Sequence, residues 1–141
     1  MEKKTSQLLS ELSEVADIKD YFASNDAELR IPELTAALNE LIAREKISRS
    51  KLAARANLDR YYVYEIFSGR KVPGTDKLLC IALALKLDQE ETERLLRLAG
   101  RPGLYARRAR DSILIFALQR HLPVDETDEL LYEAGEPLLT D

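Results

Sequence analysis

The stretch ISRSKLAARANLDRYYVYEIFSGRKVPGTDKLLCIALALKL, Ile47–Leu87, carries the pattern that decides how this chain folds. Ser48 offers a side-chain oxygen to the free amides at the start of a helix, and Leu52, Ala53 and Ala56 then share one face of it. Asn57 tolerates the left-handed backbone that ends a helix, and Asp59, just beyond, is again a capping residue. A second short helix is therefore expected from Asp59 to about Ser68, closed by Gly69. Arg70-Lys71-Val72-Pro73-Gly74 reads as a loop, and Thr75 or Asp76 as the cap of a further helix through Leu85. Two short helices meeting at a tight turn are followed by a longer, strongly apolar one.

Working outward, Pro32 suits a first helical turn, and Leu34, Leu38, Leu41 and Ile42 follow at helical spacing up to the polar break Glu45-Lys46. On the other side Asp88 caps a helix that Gly100 ends. Residues 32–100 thus form one unit. Before it, residues 1–31 carry Leu8, Leu9, Leu12, Val15, Ile18 and Phe22 at mixed three- and four-residue spacings, the stripe of one or two amphipathic helices, punctuated by Asn25-Asp26. After it, residues 101–141 repeat residues 76–104 at an offset of 35: DKLLCIALALKLDQEETERLLRLAGRPGL recurs as DSILIFALQRHLPVDETDELLYEAGEPLL with 13 of 29 positions identical. A helical hairpin has been duplicated, and its apolar face must be buried on the first copy or on a partner.

Composition agrees with an all-α protein, since five Gly and five Pro in 141 residues leave little room for a turn-rich sheet architecture. The longest apolar run, Leu78 to Leu85, is eight residues, far below the ~20 that cross a bilayer, so no membrane partner is expected. A single cysteine, Cys80, and no secretory pattern at the N-terminus point to a reducing cytoplasm. The net charge of −4 is unevenly spread: residues 1–43 carry −5, residues 44–71 carry +5 and residues 72–141 carry −4. Only the middle segment offers a basic surface to a polyanion.

These residues, in this order, resemble the helix-turn-helix pattern of the Xre/lambda-repressor family without a gap from Ile47 to Leu87. Leu52-Ala53, Leu58, Val63, Ile66, Ser68-Gly69, Pro73, Leu78-Leu79 and Ile81-Ala82 carry the resemblance. It implies a five-helix lambda-repressor-like domain whose third helix enters the major groove of DNA, and hence a transcriptional regulator. Asn57 departs from the glycine frequent at the turn, and the outward face of helix three departs more strongly: Arg60, Tyr61, Tyr64 and Glu65 stand where small polar side chains are usual. Arg60 would make a bidentate contact to guanine, Glu65 would accept from cytosine, and Tyr61 and Tyr64 would reach phosphate or thymine methyl groups. By the same resemblance Arg49, Lys51, Arg70 and Lys71 are the phosphate-contact candidates. The bland alternative for these cations is a solvated surface.

Nothing in the sequence suggests an enzyme, a metal site or a cofactor. There is no nucleophile-and-base pair, P-loop or dinucleotide fingerprint, and one His with one Cys makes no zinc site. Cys80 sits in an apolar run as a small buried hydrophobe, and His121 lies near a helix end, where a cation is favoured. The acids Asp88, Glu90, Glu91, Glu93 and their repeat counterparts Asp125, Glu126, Asp128, Glu129 read as helix-dipole partners. Arg101, Arg107, Arg108 and Arg110 cluster between the hairpins, where pairing with acidic first turns is favoured over phosphate contact. Double-stranded DNA is the expected partner, bound by a homodimer because one such domain reads a half-site. The competing reading is a protein-interaction adaptor that uses Tyr61, Tyr62 and Tyr64; the acidic flanks would hold a protein partner or second subunit in a hybrid of the two.

Overall fold

The computed structural model describes residues 3–24 and 32–140, and all its regular elements are helices. In chain order they are α1 (Thr5–Glu14), α2 (Ile18–Ser24), α3 (Pro32–Arg44), α4 (Arg49–Ala56), α5 (Arg60–Phe67), α6 (Thr75–Ala84), α7 (Gln89–Leu98), α8 (Ala109–Gln119) and α9 (Val124–Glu133). The expected Asn25-Asp26 break, the boundary at residue 31 and the side chain of Phe22 lie outside the described residues.

The helix starts follow their caps. Ser48 Oγ accepts from the Lys51 amide at 3.1 Å, and Asp59 from the Tyr62 amide at 3.0 Å. Asp88 closes a reciprocal box with Glu91, accepting from its amide at 2.8 Å. The start of α6 differs from expectation: Gly74, not Thr75 or Asp76, is the capping position, and no side chain bonds the free amides there. Asp76 instead sits in the first turn, where its carboxylate is taken by Arg110.

The ends of α3 to α9 share one device. Lys46, Asn57, Gly69, Lys86, Gly100, His121 and Gly135 all have positive φ. In most of them the next amide reaches back across the last turn, as in Ile47 to Ile42, Leu58 to Ala53, Leu87 to Ala82 and Leu122 to Ala117. Ile47, Leu58, Leu87 and Leu122, just past these turns, then pack on the core. The conformation costs a non-glycine residue about 1–2 kcal/mol. At Lys46, Lys86 and His121 that cost is accepted where a basic side chain suits the negative end of the helix.

One apolar cluster runs from Leu34 to Leu139. At its centre lies α6, and the run Leu78 to Leu85 through it is buried throughout, because α4, α7, α8 and α9 all pack on this helix. That explains an apolar run with no polar face. Burial pushes the Cys80 thiol up to about 12, so it stays protonated and inert near neutral pH.

The duplicated hairpin stacks on the first, with α8 against α6 and α7, and α9 against α6. Correspondence between the copies extends to hydrogen bonds. Thr92 Oγ1 donates to the Asp88 carbonyl at 2.8 Å and Thr127 Oγ1 to the Pro123 carbonyl at 2.9 Å, both threonines being buried. Glu93 accepts from the Leu104 amide, and Asp128 from the Leu139 amide, at 3.1 and 2.7 Å. Burial breaks the correspondence on one face. Leu78 and Ile81 are enclosed, whereas their counterparts Ile113 and Phe116 are partly open, Phe116 being 41% exposed with Arg120 3.7 Å over its ring.

At the N-terminal end α1 packs on α2, whose Tyr21 is buried. The expected apolar stripe stays largely at the surface: no residue of α1 is buried, and Leu9 and Leu12 are exposed.

Candidate nucleic-acid interface

The turn between α4 and α5 is set by Asn57, at φ 57° and ψ 40°. Its side-chain amide donates to Asp125 at the start of α9, at 2.6 Å, a tie between turn and second hairpin that nothing local in the sequence signals. The far end of α5 is held by Asn39 of α3, which donates to the Phe67 carbonyl at 3.1 Å. Between these anchors Val63, Ile66 and Phe67 are buried, which forces the opposite face of α5 outward.

Arg60, Tyr61 and Tyr64 occupy that outward face as expected. Tyr61 is 69% exposed and meets Tyr64 edge to face, ring centres 6.5 Å apart at 81°, while the Arg60 guanidinium lies 6.0 Å from the Tyr61 ring. Such pairing holds the rings in defined directions and keeps one flank of each open. Glu65 is less free than its spacing suggests. It is half-buried, and its carboxylate lies 3.4 Å from Lys71 Nζ. An exposed pair of this kind is worth at most about 1 kcal/mol, so it opens at little cost to a stronger partner.

Arg49, Lys51, Arg70 and Lys71 are all exposed. Arg49 and Lys51 lie in the first turn of α4, and Arg70 and Lys71 lie just past α5, so the two pairs bracket α5 along the chain. Lys71 Nζ also sits 5.7 Å from the centre of the Tyr62 ring. Burial pushes the Tyr62 phenol up from its ordinary value, against the opposing pull of Lys71 and Arg101.

No local pattern in the sequence places Arg101 near Tyr62. Its Nε donates to the Pro73 carbonyl at 3.1 Å, which docks the segment after α7 on the α5–α6 loop. The arginine cluster therefore divides. Arg110 pairs with an acidic first turn, as expected, through 3.0 and 3.2 Å bonds to the two oxygens of Asp76. Arg101, Arg107 and Arg108 form no ion pair among the described residues, which corrects the expectation that the whole cluster is neutralised internally.

The acids read as helix-dipole partners also do more than that. Glu93, Asp125 and Asp128 each accept a bond from a distant part of the chain. The repeat register was the available signal, since Glu93 and Asp128 occupy matching positions. Among the described residues no group of three His, Cys, Asp or Glu side chains is placed to hold a metal, and no helix is long and apolar enough to cross a membrane. Comparison of the chain with family models, with curated proteins and with solved structures gives no match.

Proposed function

We propose that this chain is a sequence-specific DNA-binding transcriptional regulator in which α3 to α7 form a lambda-repressor-like helix-turn-helix domain and α5 lies in the major groove. The observation that supports it best is the outward face of α5. Arg60, Tyr61 and Tyr64 project from a helix whose other side is buried, and exposed cations precede and follow that helix within the one basic segment of the chain. A helix fits the major groove, Arg60 is suited to the paired acceptors of guanine, and the flanking cations are suited to phosphate. A homodimer belongs to this reading, because one such helix covers a half-site and two copies cover half-sites about one helical turn apart.

The test is fluorescence anisotropy of labelled duplex DNA titrated with the full chain across a salt series. If Arg49, Lys51, Arg70 and Lys71 each neutralise a phosphate, the logarithm of the affinity should fall against the logarithm of salt with a slope of at least about 3.6 in magnitude per chain, from ~0.9 per contact. At saturation two chains should be bound per duplex. No binding at low salt removes the DNA reading, and one chain per duplex removes the dimer. The exposure of Tyr61 favours a second reading, a protein-binding adaptor. Under it, duplex DNA does not bind, and replacing Tyr61 and Tyr64 abolishes capture of a protein partner.

A further inference from the structure

We propose that the segment joining α7 to α8 is a second phosphate-binding surface, with Arg107 and Arg108 extending the DNA interface from the α5–α6 loop onto the C-terminal hairpin. This rests on the DNA-binding reading and adds contacts that lie outside the helix-turn-helix unit.

The placement follows from two clasps. Arg101 Nε holds the Pro73 carbonyl, so the segment begins on the loop that carries Arg70 and Lys71. Arg110 grips both oxygens of Asp76, so the first turn of α8 stands beside the first turn of α6, at the other end of that same loop. Arg107 and Arg108 lie between these clasps in the chain, in a segment tied at Arg101 and Arg110 to the two ends of the Pro73–Asp76 stretch that follows Arg70 and Lys71.

The segment is also tied at two amides. Glu93 accepts from the Leu104 amide at 3.1 Å, and the Tyr105 amide donates to Asp111 at 2.9 Å. Gly103 lies so close to the Glu93 carboxylate that a Cβ there would collide with it. Little ordering entropy would then be lost when the segment meets a ligand.

Charge points the same way. Asp76 is engaged by Arg110, Asp111 accepts from the Tyr105 amide and Glu93 accepts from the Leu104 amide. Arg107 and Arg108 are exposed and form no ion pair among the described residues. In the acidic first turn of α7, Glu91 is already taken by Arg44, whose Nη1 donates to it at 2.6 Å. The basic character is not inherited from the duplication, since Glu136 stands in the second copy where Arg101 stands in the first.

The experiment compares the full-length wild type with Arg107→Ala/Arg108→Ala and Arg107→Lys/Arg108→Lys on one duplex across about 50–300 mM salt. The alanine pair should lower the magnitude of the salt slope by about 1.8 and weaken binding roughly tenfold or more near 100 mM. Preference between duplexes of different sequence should be unchanged, because phosphate contacts carry no base information. The lysine pair should restore the slope, and both variants should keep the wild-type melting temperature. An unchanged slope in the alanine pair, with the wild type binding normally, overturns this surface and leaves α5 as the reader. Loss of slope in the lysine pair overturns it too, because phosphate neutralisation needs only the charge. Absence of wild-type binding removes the DNA reading itself and this inference with it.

Discussion

Replacing Arg60, Arg70 and Lys71 together with alanine is expected to weaken binding to a preferred duplex by at least about a hundredfold while leaving the fold intact. A bidentate arginine contact to guanine is worth about 1–3 kcal/mol, or about fivefold to 140-fold. Arg70 and Lys71 each add a phosphate contact, so the salt slope should also shrink by about 1.8. The two effects separate in single variants: Arg60→Ala should erase discrimination at one base pair, whereas Arg70→Ala should weaken all duplexes alike. All three side chains are exposed. Removing Lys71 also releases Glu65, which lies 3.4 Å from it, and leaves a carboxylate facing the groove. The Lys71 variant should for that reason lose more than Arg70→Ala. Affinity within threefold of wild type in the triple variant contradicts the assignment of this face, and anisotropy measures it directly.

Leu96→Ala is expected to be the most damaging small change to stability. Leu96 is 0% exposed on α7, a helix that packs on α3, α6 and α8 and so links the basic unit to the second hairpin. Truncating a buried leucine costs about 2–5 kcal/mol, from lost burial and the cavity left behind, against a total stability of about 5–15 kcal/mol for a domain. For a chain of this size 3 kcal/mol lowers the melting temperature by roughly 10 °C. Leu9→Ala, at a position 62% exposed on α1, supplies the contrast and should change stability by less than about 0.5 kcal/mol. Urea denaturation followed by circular dichroism measures both. A loss below about 1 kcal/mol for Leu96→Ala contradicts the packing of α7 at the junction.

What could be read from the sequence was what local chemistry decides. Ser48, Asp59 and Asp88 cap helices because their oxygens reach amides three residues on, and Asn57 ends a helix because it accepts a left-handed backbone. The duplication was legible as an offset, and it foretold matching helices and matching glycine turns at Gly100 and Gly135. Lys46, Lys86 and His121 were harder, since nothing in a lysine or histidine announces positive φ; the hydrophobic residue that follows each one, pulled into the core, imposes it. The Gly74 start of α6 was hidden for a similar reason, because the competing demand on Asp76 comes from Arg110, 34 residues away.

The candidate interface divides along the same line. The outward placement of Arg60, Tyr61 and Tyr64 follows from helical period alone. The Lys71–Glu65 pair, the docking of Arg101 on Pro73 and the tie from Asn57 to Asp125 depend on which helices meet, and no periodicity encodes that.

Insertion of α5 into the major groove is tested most directly by amide chemical-shift mapping of the isotopically labelled full chain as duplex DNA is added. The largest changes are predicted at Ser48–Leu52, Asp59–Glu65 and Gly69–Val72, with a second set at Arg107 and Arg108. Changes confined to α1 and α2, or to the acidic first turns of α7 and α9, would contradict the placement, as would a spectrum that DNA leaves unmoved.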